Sequence, residues 1–461
     1  MTHRSYFLLF SLSWLFTIAP MVDAANWQLD DKDLQQAEHY YQVESDYYKT
    51  YTYFSKAATK DNGYAQAGLA YLYMKGIGVK PDPQKAQTIA SQVVKPLTAR
   101  AQEKDAHAQY YLSRLYQVGA GVDKDLKAAF RLQLQAALAN DPNAMIAVGF
   151  YYGYGIGTPI DNAQALYWYK NAAKHKIAIA INNIGTHFNE GRGVPVNPKE
   201  AYHYFKQALE YDNAFAKYNI GQMYRYGRYL DKDMDKAVEY LEGAARQAHT
   251  SAMYQLARIY REGKEAPADY KKALYWLNKA AVLGDGDGIA VIGYMYENGQ
   301  HFPKSYAKAL EHYELSARYG SSDGARRAGW LYEKGLGTKQ DIRAALQYYV
   351  QAAESGDWWS QYQAGYLYRQ SPPPLQNYQL AAKYLTFAAF NGHEEALIDL
   401  AEMYMHGQGV KEDKAKAIYL LSQAAAKGSM KASIKLQQFM GTGDNSIVTP
   451  DASGYYPLPQ N

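Results

Sequence analysis

The sequence predicts an all-α fold made of about ten tandem helix–turn–helix repeats, each 36 residues long. Three observations predict it: evenly spaced glycine-rich loops, an alanine at a constant distance after each loop, and an aromatic residue at a constant distance before it. When the residue that follows each loop is taken as an anchor, eight consecutive intervals of 36 residues separate Val122 from Val410. One supersecondary unit therefore recurs along most of the chain.

The first helix of each repeat is predicted to end at a glycine three residues before the anchor. Glycine there accepts the left-handed backbone conformation that other residues resist. An aromatic residue six positions before the anchor completes the apolar stripe of this helix, so we expect it in the core. The glycines include Gly155, Gly191 and Gly335, and the aromatic residues include Tyr152, Tyr224 and Tyr332.

The second helix is predicted to begin three residues after the anchor, where Asp or Asn recurs as an N-cap. Pro83 and Pro198 follow at the first helical position, which proline favours. Alanine occupies the position seven after the anchor in every repeat, because helices that cross closely leave room only for a small side chain. Examples are Ala165, Ala237 and Ala345.

The composition excludes several kinds of site. Of 461 residues, 48% are hydrophobic and 20% are charged, which is too apolar for a disordered chain. The net charge is only +4 and no basic block occurs, so nothing supports a nucleic-acid partner. Cysteine is absent, which removes disulfides, thiolate nucleophiles and cysteine-bound zinc. We expect no cofactor and no metal.

Two segments carry the repeat motif most clearly, residues 191–201 (GRGVPVNPKEA) and residues 407–417 (GQGVKEDKAKA). With this motif and the 36-residue period, the chain resembles the Sel1-like repeat family, a longer relative of the tetratricopeptide repeat. The resemblance covers about residues 37–436 and is closest to an exported bacterial branch, here without cysteines. It implies an α/α solenoid (superhelix) with a concave binding face, in a protein that acts as an adaptor or scaffold.

Four segments are expected along the chain. Residues 1–24 are predicted to be a signal peptide, since a basic start and a short apolar run precede small residues at Val22 and Ala24. An uncleaved membrane anchor is the alternative. Residues 25–64 are expected to form capping helices or a half-repeat, residues 65–436 the solenoid, and residues 437–461 a flexible tail. The mature chain is then periplasmic, or alternatively secreted, with no integral membrane span.

The N-terminal region is unusually aromatic, with six tyrosines and one phenylalanine between Tyr40 and Phe54. We expect an aromatic cap that seals the end of the array. The alternative is an open tyrosine-rich surface that suits protein strands or sugar rings. A seven-residue insertion between residues 89 and 105 contains Pro96, and it is expected to lengthen a helix.

Departures from the repeat indicate candidate partner-binding residues. Trp358 and Trp359 are adjacent in what the pattern predicts to be a connecting turn, and adjacent side chains cannot share one helix face. At least one is therefore expected to be exposed, as binding hot spots often are; the alternative is that both fill a groove between repeats. Tyr229, Glu265 and His301 replace the second glycine of the loop in three successive repeats, where they are expected to form a docking ridge.

No catalytic pattern stands out. His187 and His203 fall in one repeat but lack the spacing of a metal site. Ser305 and Lys308 have the Ser-x-x-Lys spacing of penicillin-recognising enzymes, yet Ser305 occupies the N-cap position and no accompanying motif is present. Ser305 is therefore predicted to be a helix cap, and the protein is not expected to be an enzyme.

These observations favour a non-catalytic scaffold or adaptor of the bacterial envelope. Its partners are expected to be other proteins, such as components of an envelope assembly or exopolysaccharide secretion complex. A secreted factor that engages host proteins is the alternative, and a β-lactam- or cell-wall-directed hydrolase comes last. Nothing in the sequence supports contact with a polysaccharide.

Overall fold

The computed structural model describes residues 29–265 and 267–440. The predicted signal peptide and residues 441–461 of the predicted tail lie outside this range. Within it, the regular structure consists of 23 α-helices and one π-helical turn, which confirms the all-α prediction. The chain divides into two compact units, the first ending at Gly284 and the second beginning at Asp285. Among the described helices, none combines the length and the apolar character that crossing a bilayer requires.

The first unit holds fourteen of the described α-helices and the π-helical turn. In chain order they are α1 (Lys32–His39), the π-helical turn (Tyr40–Glu44), α2 (Tyr47–Ala58), α3 (Gly63–Lys75), α4 (Pro83–Gln102), α5 (Ala106–Val118), α6 (Leu126–Leu138), α7 (Pro142–Tyr154), α8 (Asn162–Ala173), α9 (Ala178–Glu190), α10 (Pro198–Leu209), α11 (Ala214–Tyr226), α12 (Met234–Arg246), α13 (Thr250–Glu262) and α14 (Tyr270–Val282).

The second unit holds the other nine described helices. They are α15 (Gly286–Asn298), α16 (Tyr306–Arg318), α17 (Ser322–Lys334), α18 (Ile342–Glu354), α19 (Trp358–Gln370), α20 (Tyr378–Phe390), α21 (Glu394–His406), α22 (Lys414–Ala426) and α23 (Met430–Met440). Helix α23 extends through the first four residues of the predicted tail, 437–440.

From α3 onward, consecutive helices form the helix–turn–helix repeats of a solenoid, with the odd-numbered helix first in each repeat. Gly155, Gly191 and Gly335 cap the C-termini of α7, α9 and α17 with φ angles of 68°, 73° and 65°. Positive φ of this size favours glycine, because a Cβ atom makes the left-handed conformation costly. Local backbone chemistry therefore ends these first helices where the sequence predicted.

The second helices begin at the predicted side-chain caps. Asp161 Oδ1 accepts hydrogen bonds from the main-chain N–H groups of Ala163 and Gln164 at 3.0 and 2.9 Å. Ser305 has the same role at α16, where its Oγ accepts from the Lys308 N–H at 3.3 Å. The Ser-x-x-Lys spacing thus belongs to a helix cap, as predicted.

Small and aromatic residues define the packing between the two helices of a repeat. The positions seven after the anchor are fully buried, as shown by Ala165, Ala237 and Ala345. The aromatic positions are only half-buried. Tyr224 and Tyr332 stack on tyrosines of the following helix, with ring centroids 5.8 Å apart in both cases; Tyr152 instead meets Phe130 of the preceding helix edge-on at 5.3 Å. The aromatic position is therefore a stack between helices with one side open to solvent, rather than deep core.

The seven-residue insertion lengthens one helix. Helix α4 has 20 residues, whereas its neighbours have 13, and Pro96 lies inside it. The insertion is therefore a helix extension, as expected, and does not form a separate loop.

Residues 31–58, called here the N-terminal segment, contact the first helices of several repeats in the first unit. The Tyr111 hydroxyl of α5 donates a hydrogen bond to Glu38 at 2.8 Å. The Gln42 side-chain amide donates to Asn143 Oδ1 of α7 at 2.6 Å. Later residues of the segment thus contact later repeats.

This progression continues beyond α7. The Val43 carbonyl oxygen accepts a hydrogen bond from the side-chain amide of Asn213, the N-cap of α11, at 2.9 Å. The Tyr47 N–H donates to the Gln247 carbonyl oxygen at 3.3 Å. The rings of Tyr41 and Tyr47 are buried against these helices. The aromatic side chains of the segment therefore pack inward along the repeats and do not form an open tyrosine-rich surface.

Arg114 anchors this segment to α5. Its guanidinium group is buried, donates to the Tyr110 hydroxyl at 3.0 Å, and donates to the Tyr41 hydroxyl. The guanidinium carbon lies 3.9 Å from the ring centroid of Tyr71, in a cation–π contact. Close by, burial raises the pKa of Glu38 well above the usual carboxyl range, although the Tyr111 hydrogen bond and the Arg114 charge lower it. Tyrosine groups thus provide most of the hydrogen-bonding environment of a buried charge.

Candidate protein-binding sites

A cleft in the first unit lies along α9 and α11 and has a volume of about 680 Å³. Amide side chains of both helices line it, among them Asn182, Asn219 and Gln222. Aromatic residues and two arginines complete its walls. This combination suits a ligand that has hydrogen-bonding groups along an otherwise uncharged backbone.

His249 forms part of the cleft wall and caps α13. Its Nδ1 accepts the Ala252 N–H at 3.2 Å, and its ring stacks on Tyr218 with centroids 4.8 Å apart. Burial lowers the pKa of His249 to about 4, so the ring is neutral at physiological pH. Because Nδ1 accepts a hydrogen bond, the proton of the neutral ring lies on Nε2. The residue is only 4% exposed, and this Nε2–H donor has no hydrogen-bond partner among the described residues.

The amide side chains leave an acceptor in the same state. Asn219 donates to Asn182 at 2.9 Å, which satisfies one side of each amide. The Gln222 amide nitrogen donates to the Tyr218 hydroxyl at 3.1 Å. Its Oε1 atom is buried and has no partner in the described chain. The Tyr218 side chain therefore contacts both His249, which offers a buried donor, and Gln222, which offers a buried acceptor.

One end of the cleft carries positive charge. Arg192 pairs with Glu190 at 2.6 Å, and its guanidinium carbon lies 5.1 Å from the ring centroid of Tyr154. Arg228 is exposed, with its guanidinium carbon 5.8 Å from the ring centroid of Tyr226. Two guanidinium groups against one carboxylate give this end a net positive charge, which favours an anionic group of a ligand.

The low pKa of His249 predicts a dependence of stability on pH. An unfolded histidine binds its proton near pH 6.5, whereas His249 resists protonation down to about pH 4 when folded. Its contribution is thus complete above pH 6.5 and is lost as the pH falls toward 4. We expect the free energy of unfolding at pH 5 to be about 2 kcal/mol lower than at pH 7 because of this residue. Urea unfolding at both pH values measures the difference.

The control for this prediction is His249→Asn, because Asn213 provides the same kind of cap at α11. The pH dependence of the variant should be smaller by about 2 kcal/mol. His301→Asn, at an exposed position, should leave the pH dependence unchanged. An equal pH dependence in wild type and His249→Asn would contradict the prediction.

The two predicted tryptophans lie in the second unit and differ in exposure. Asp357 caps α19, so both begin this helix rather than lie in the connecting turn that the pattern indicated. Trp358 is 48% exposed, and its ring lies 5.5 Å from that of His393. Trp359 is half-buried and packs edge-on against Tyr349 at 5.5 Å. Trp358 is therefore available to a partner, whereas Trp359 belongs to the packing between helices.

Trp358 is part of a larger aromatic surface, which we define as Trp358, Tyr362, Tyr366 and His393. Tyr362 stacks on His393 with centroids 4.2 Å apart and lies 6.0 Å from Tyr366, which is 40% exposed. Sequence analysis did not identify Tyr362 and His393 as candidates. A signal existed: Tyr218 and His249 of the first unit stack in the same way exactly four repeats earlier, so the pair recurs in register.

The loop residues predicted as a docking ridge are placed separately. Tyr229 is 51% exposed in the first unit, and its ring lies 5.5 Å from that of Tyr202. Glu265 accepts a hydrogen bond from Arg225 at 2.7 Å. His301 is exposed in the second unit, edge-on to Phe302. Tyr229 and His301 have φ angles of 64° and 65°, so both hold a conformation that favours glycine. Their role in binding stays a prediction.

Metal-ligand geometry does not occur in the described residues. No group of three or more His, Asp or Glu side chains is arranged to hold an ion there. His187 Nδ1 is hydrogen-bonded to the Arg192 carbonyl oxygen at 2.7 Å, and His203 contacts Gln207 at 2.8 Å. Each histidine thus has a structural partner of its own.

Comparisons with known proteins agree with the repeat architecture. The Sel1 repeat model matches eleven stretches of the chain: residues 39–62, 63–88, 106–141, 142–176, 178–210, 214–249, 250–285, 287–321, 322–357, 360–393 and 394–429. No match to this chain was found among the curated proteins.

Two solved structures illustrate the similarity. The protective antigen c5321 of uropathogenic Escherichia coli is 26% identical over 84% of this chain and 82% of its own, with a TM-score of 0.43. A Sel1 repeat protein from Oxalobacter formigenes is 24% identical over 75% of this chain and 89% of its own, with a TM-score of 0.46.

The matched stretches include nearly all of the described helices, from the π-helical turn to α22. Proteins of this family are typically non-catalytic binding scaffolds, and no catalytic domain was found. The chain therefore belongs to the Sel1 repeat family and is a Sel1 repeat scaffold protein.

Proposed function

We propose that this scaffold acts in the bacterial envelope, where it binds components of an envelope assembly or secretion complex. The observation that carries the binding role is the aromatic surface of the second unit, centred on Trp358. The envelope location rests on the signal peptide that the N-terminal sequence predicts. Binding requires no reaction at the surface, so the proposal is a non-catalytic one.

The geometry of the aromatic surface supports a protein partner. Trp358 is the exposed member, while Tyr362 and His393 stack beneath and beside it and limit its motion. A large aromatic side chain that is already ordered loses little entropy when a partner covers it. Such residues provide most of the binding energy in protein interfaces, typically 2 kcal/mol or more for a hot-spot tryptophan.

The test is in-cell crosslinking of the tagged full-length protein, followed by envelope fractionation and mass spectrometry of the captured proteins. We expect envelope assembly or secretion components, with Trp358→Ala reducing their affinity about 30-fold, the ratio equivalent to 2 kcal/mol. Tyr167→Ala is the matched control, because Tyr167 is an exposed aromatic residue of α8 in the first unit. Circular dichroism verifies that both variants retain their helices.

Two outcomes contradict this proposal. If Trp358→Ala captures the same proteins with the same affinity, the aromatic surface is not the binding site. If the protein is recovered mainly from the culture medium without bacterial partners, the envelope location is wrong. The secreted, host-directed function then becomes the better hypothesis.

A further inference from the structure

The first unit shows how its own helices bind a polypeptide. The N-terminal segment lies against them, and its main chain is recognised directly. The Asn213 side-chain amide donates to the Val43 carbonyl oxygen at 2.9 Å and to Ser45 Oγ at 3.0 Å. The Tyr47 N–H donates to the Gln247 carbonyl oxygen at 3.3 Å. Side-chain amides and main-chain carbonyls of the repeats thus satisfy the peptide groups of a bound segment.

The cleft along α9 and α11 begins where this internal segment ends. Phe215 joins the two regions, since its ring lies 6.4 Å from that of Tyr47 and 4.8 Å from that of His249. Phe215 and His249 are also part of the cleft wall. The cleft is therefore continuous with a surface that already holds peptide.

Beyond Phe215 the cleft contains two buried polar atoms without partners in the described chain, the Nε2–H donor of His249 and the Oε1 acceptor of Gln222. A buried polar group left unpaired costs about 1–3 kcal/mol. A ligand that offers a carbonyl oxygen and an N–H group recovers both costs at once. A peptide bond presents these two groups on every residue.

We propose that this cleft binds an extended peptide segment of a partner protein through its main-chain amide groups, with an acidic residue of that segment at the Arg192 and Arg228 end. The inference rests on the proposed binding function and names what one of its sites recognises. The acidic preference follows from the two guanidinium groups that face a single carboxylate, Glu190, at that end.

An N-acetylated sugar also carries a secondary amide, so it is the competing occupant. The internal precedent favours peptide, because the adjacent helices already bind main-chain groups of residues 43–47. Peptide and sugar make different predictions for the experiment below.

The experiment selects phage-displayed random peptides of about twelve residues on the purified full-length protein. A synthetic copy of the selected peptide is then measured by fluorescence polarisation against wild type and Gln222→Met. Methionine keeps the size of the side chain and removes the acceptor. We expect the Kd to rise about tenfold, as the loss of one buried hydrogen bond predicts.

The matched control is Gln207→Met. Gln207 is also half-buried and contacts a ring four residues earlier, His203, but it lies on α10 outside the cleft lining. Its replacement should leave the Kd unchanged. N-methylation of the contacted peptide amide should weaken binding to wild type about tenfold, with no further loss in Gln222→Met. Replacing the acidic residue of the peptide by its amide should weaken binding to wild type and not to Arg228→Gln.

Several results would overturn the inference. They are the selection of no peptide, equal affinity of wild type and Gln222→Met, insensitivity to N-methylation, and displacement of the peptide by N,N′-diacetylchitobiose, which would assign the cleft to sugars. The scaffold function has its own readout in the crosslinking experiment. If Trp358-dependent capture persists while the peptide results fail, only the cleft assignment is wrong.

Discussion

Replacing Tyr41 by alanine is expected to lower the free energy of unfolding of the first unit by about 4 kcal/mol. The Tyr41 ring is fully buried, and its hydroxyl accepts a hydrogen bond from the buried guanidinium of Arg114. The variant leaves a cavity and an unpaired N–H on a buried charge. Arg114 has no spare partner, since its Nε atom is already unpaired in the described chain. Urea unfolding measures the loss, and amide hydrogen exchange in α5 and α7 locates it.

Tyr40→Ala is the matched control for this prediction. Tyr40 is adjacent in sequence but half-buried, and it stacks on Tyr53 with centroids 5.3 Å apart. We expect its replacement to cost about 1 kcal/mol. Tyr41→Phe removes only the hydroxyl and should fall between the two, at about 1–3 kcal/mol. Equal losses for Tyr40→Ala and Tyr41→Ala would show that the Tyr41–Arg114 contact does not anchor the segment.

The second large effect is expected for Gly337→Ala in the loop after α17. Gly337 has a φ of +76°, and a Cβ atom there would lie 2.4 Å from the main-chain carbon of Tyr306 and from the nitrogen of Ala307, at the start of α16. Main-chain atoms of a helix cannot move aside independently, so two repeats must separate. We expect a loss of about 3 kcal/mol or more, from the left-handed conformation and the overlap together. The thermal midpoint of unfolding measures it.

Gly356→Ala separates these two causes. Gly356 also has a positive φ, +90°, but no atom lies within 4 Å of a Cβ built on it. Its replacement should cost only about 1 kcal/mol, the conformational part. Similar losses for the two variants would contradict the close approach of the loop to the preceding repeat.

The second loop glycine also shows the limit of the repeat rule. Tyr229 keeps the positive φ of this position and still carries a large side chain, which is mostly directed to solvent and meets Tyr202. The backbone conformation is thus common to the repeats, while the space beside it is not. A substitution that is severe at Gly337 is accommodated where the preceding helix leaves room.

Much of the fold could be predicted from sequence because the determinants of each repeat are local. A C-terminal glycine such as Gly191 and an N-cap such as Asp161 act within four residues, so their spacing places the helix ends directly. The position of the N-terminal segment could not be predicted in this way. Val43 and Asn213 are 170 residues apart, and no periodicity relates them. The tyrosine-rich composition indicated burial without indicating against which helices.

The candidate sites follow the same division. The exposure of Trp358 could be anticipated, because two adjacent tryptophans cannot both face one core. The cleft of the first unit could not, since His249 and Gln222 come from different repeats and meet through Tyr218 only after folding. The recurrence of the Tyr–His stack four repeats later is the one trace of this arrangement in the sequence.

The long-range docking of the N-terminal segment has a consequence for the order of folding. Repeats with local contacts assemble rapidly one after another, whereas contacts between distant residues require the intervening chain to be ordered first. The array from α3 to α13 can therefore grow progressively, but the segment reaches its final position only after Asn213 and Gln247 are in place. During synthesis Tyr41 and Tyr47 stay exposed while some 200 further residues are added. The first part of the first unit to be made is thus the last to be buried, and a chain that stops before α11 leaves these rings without a binding surface.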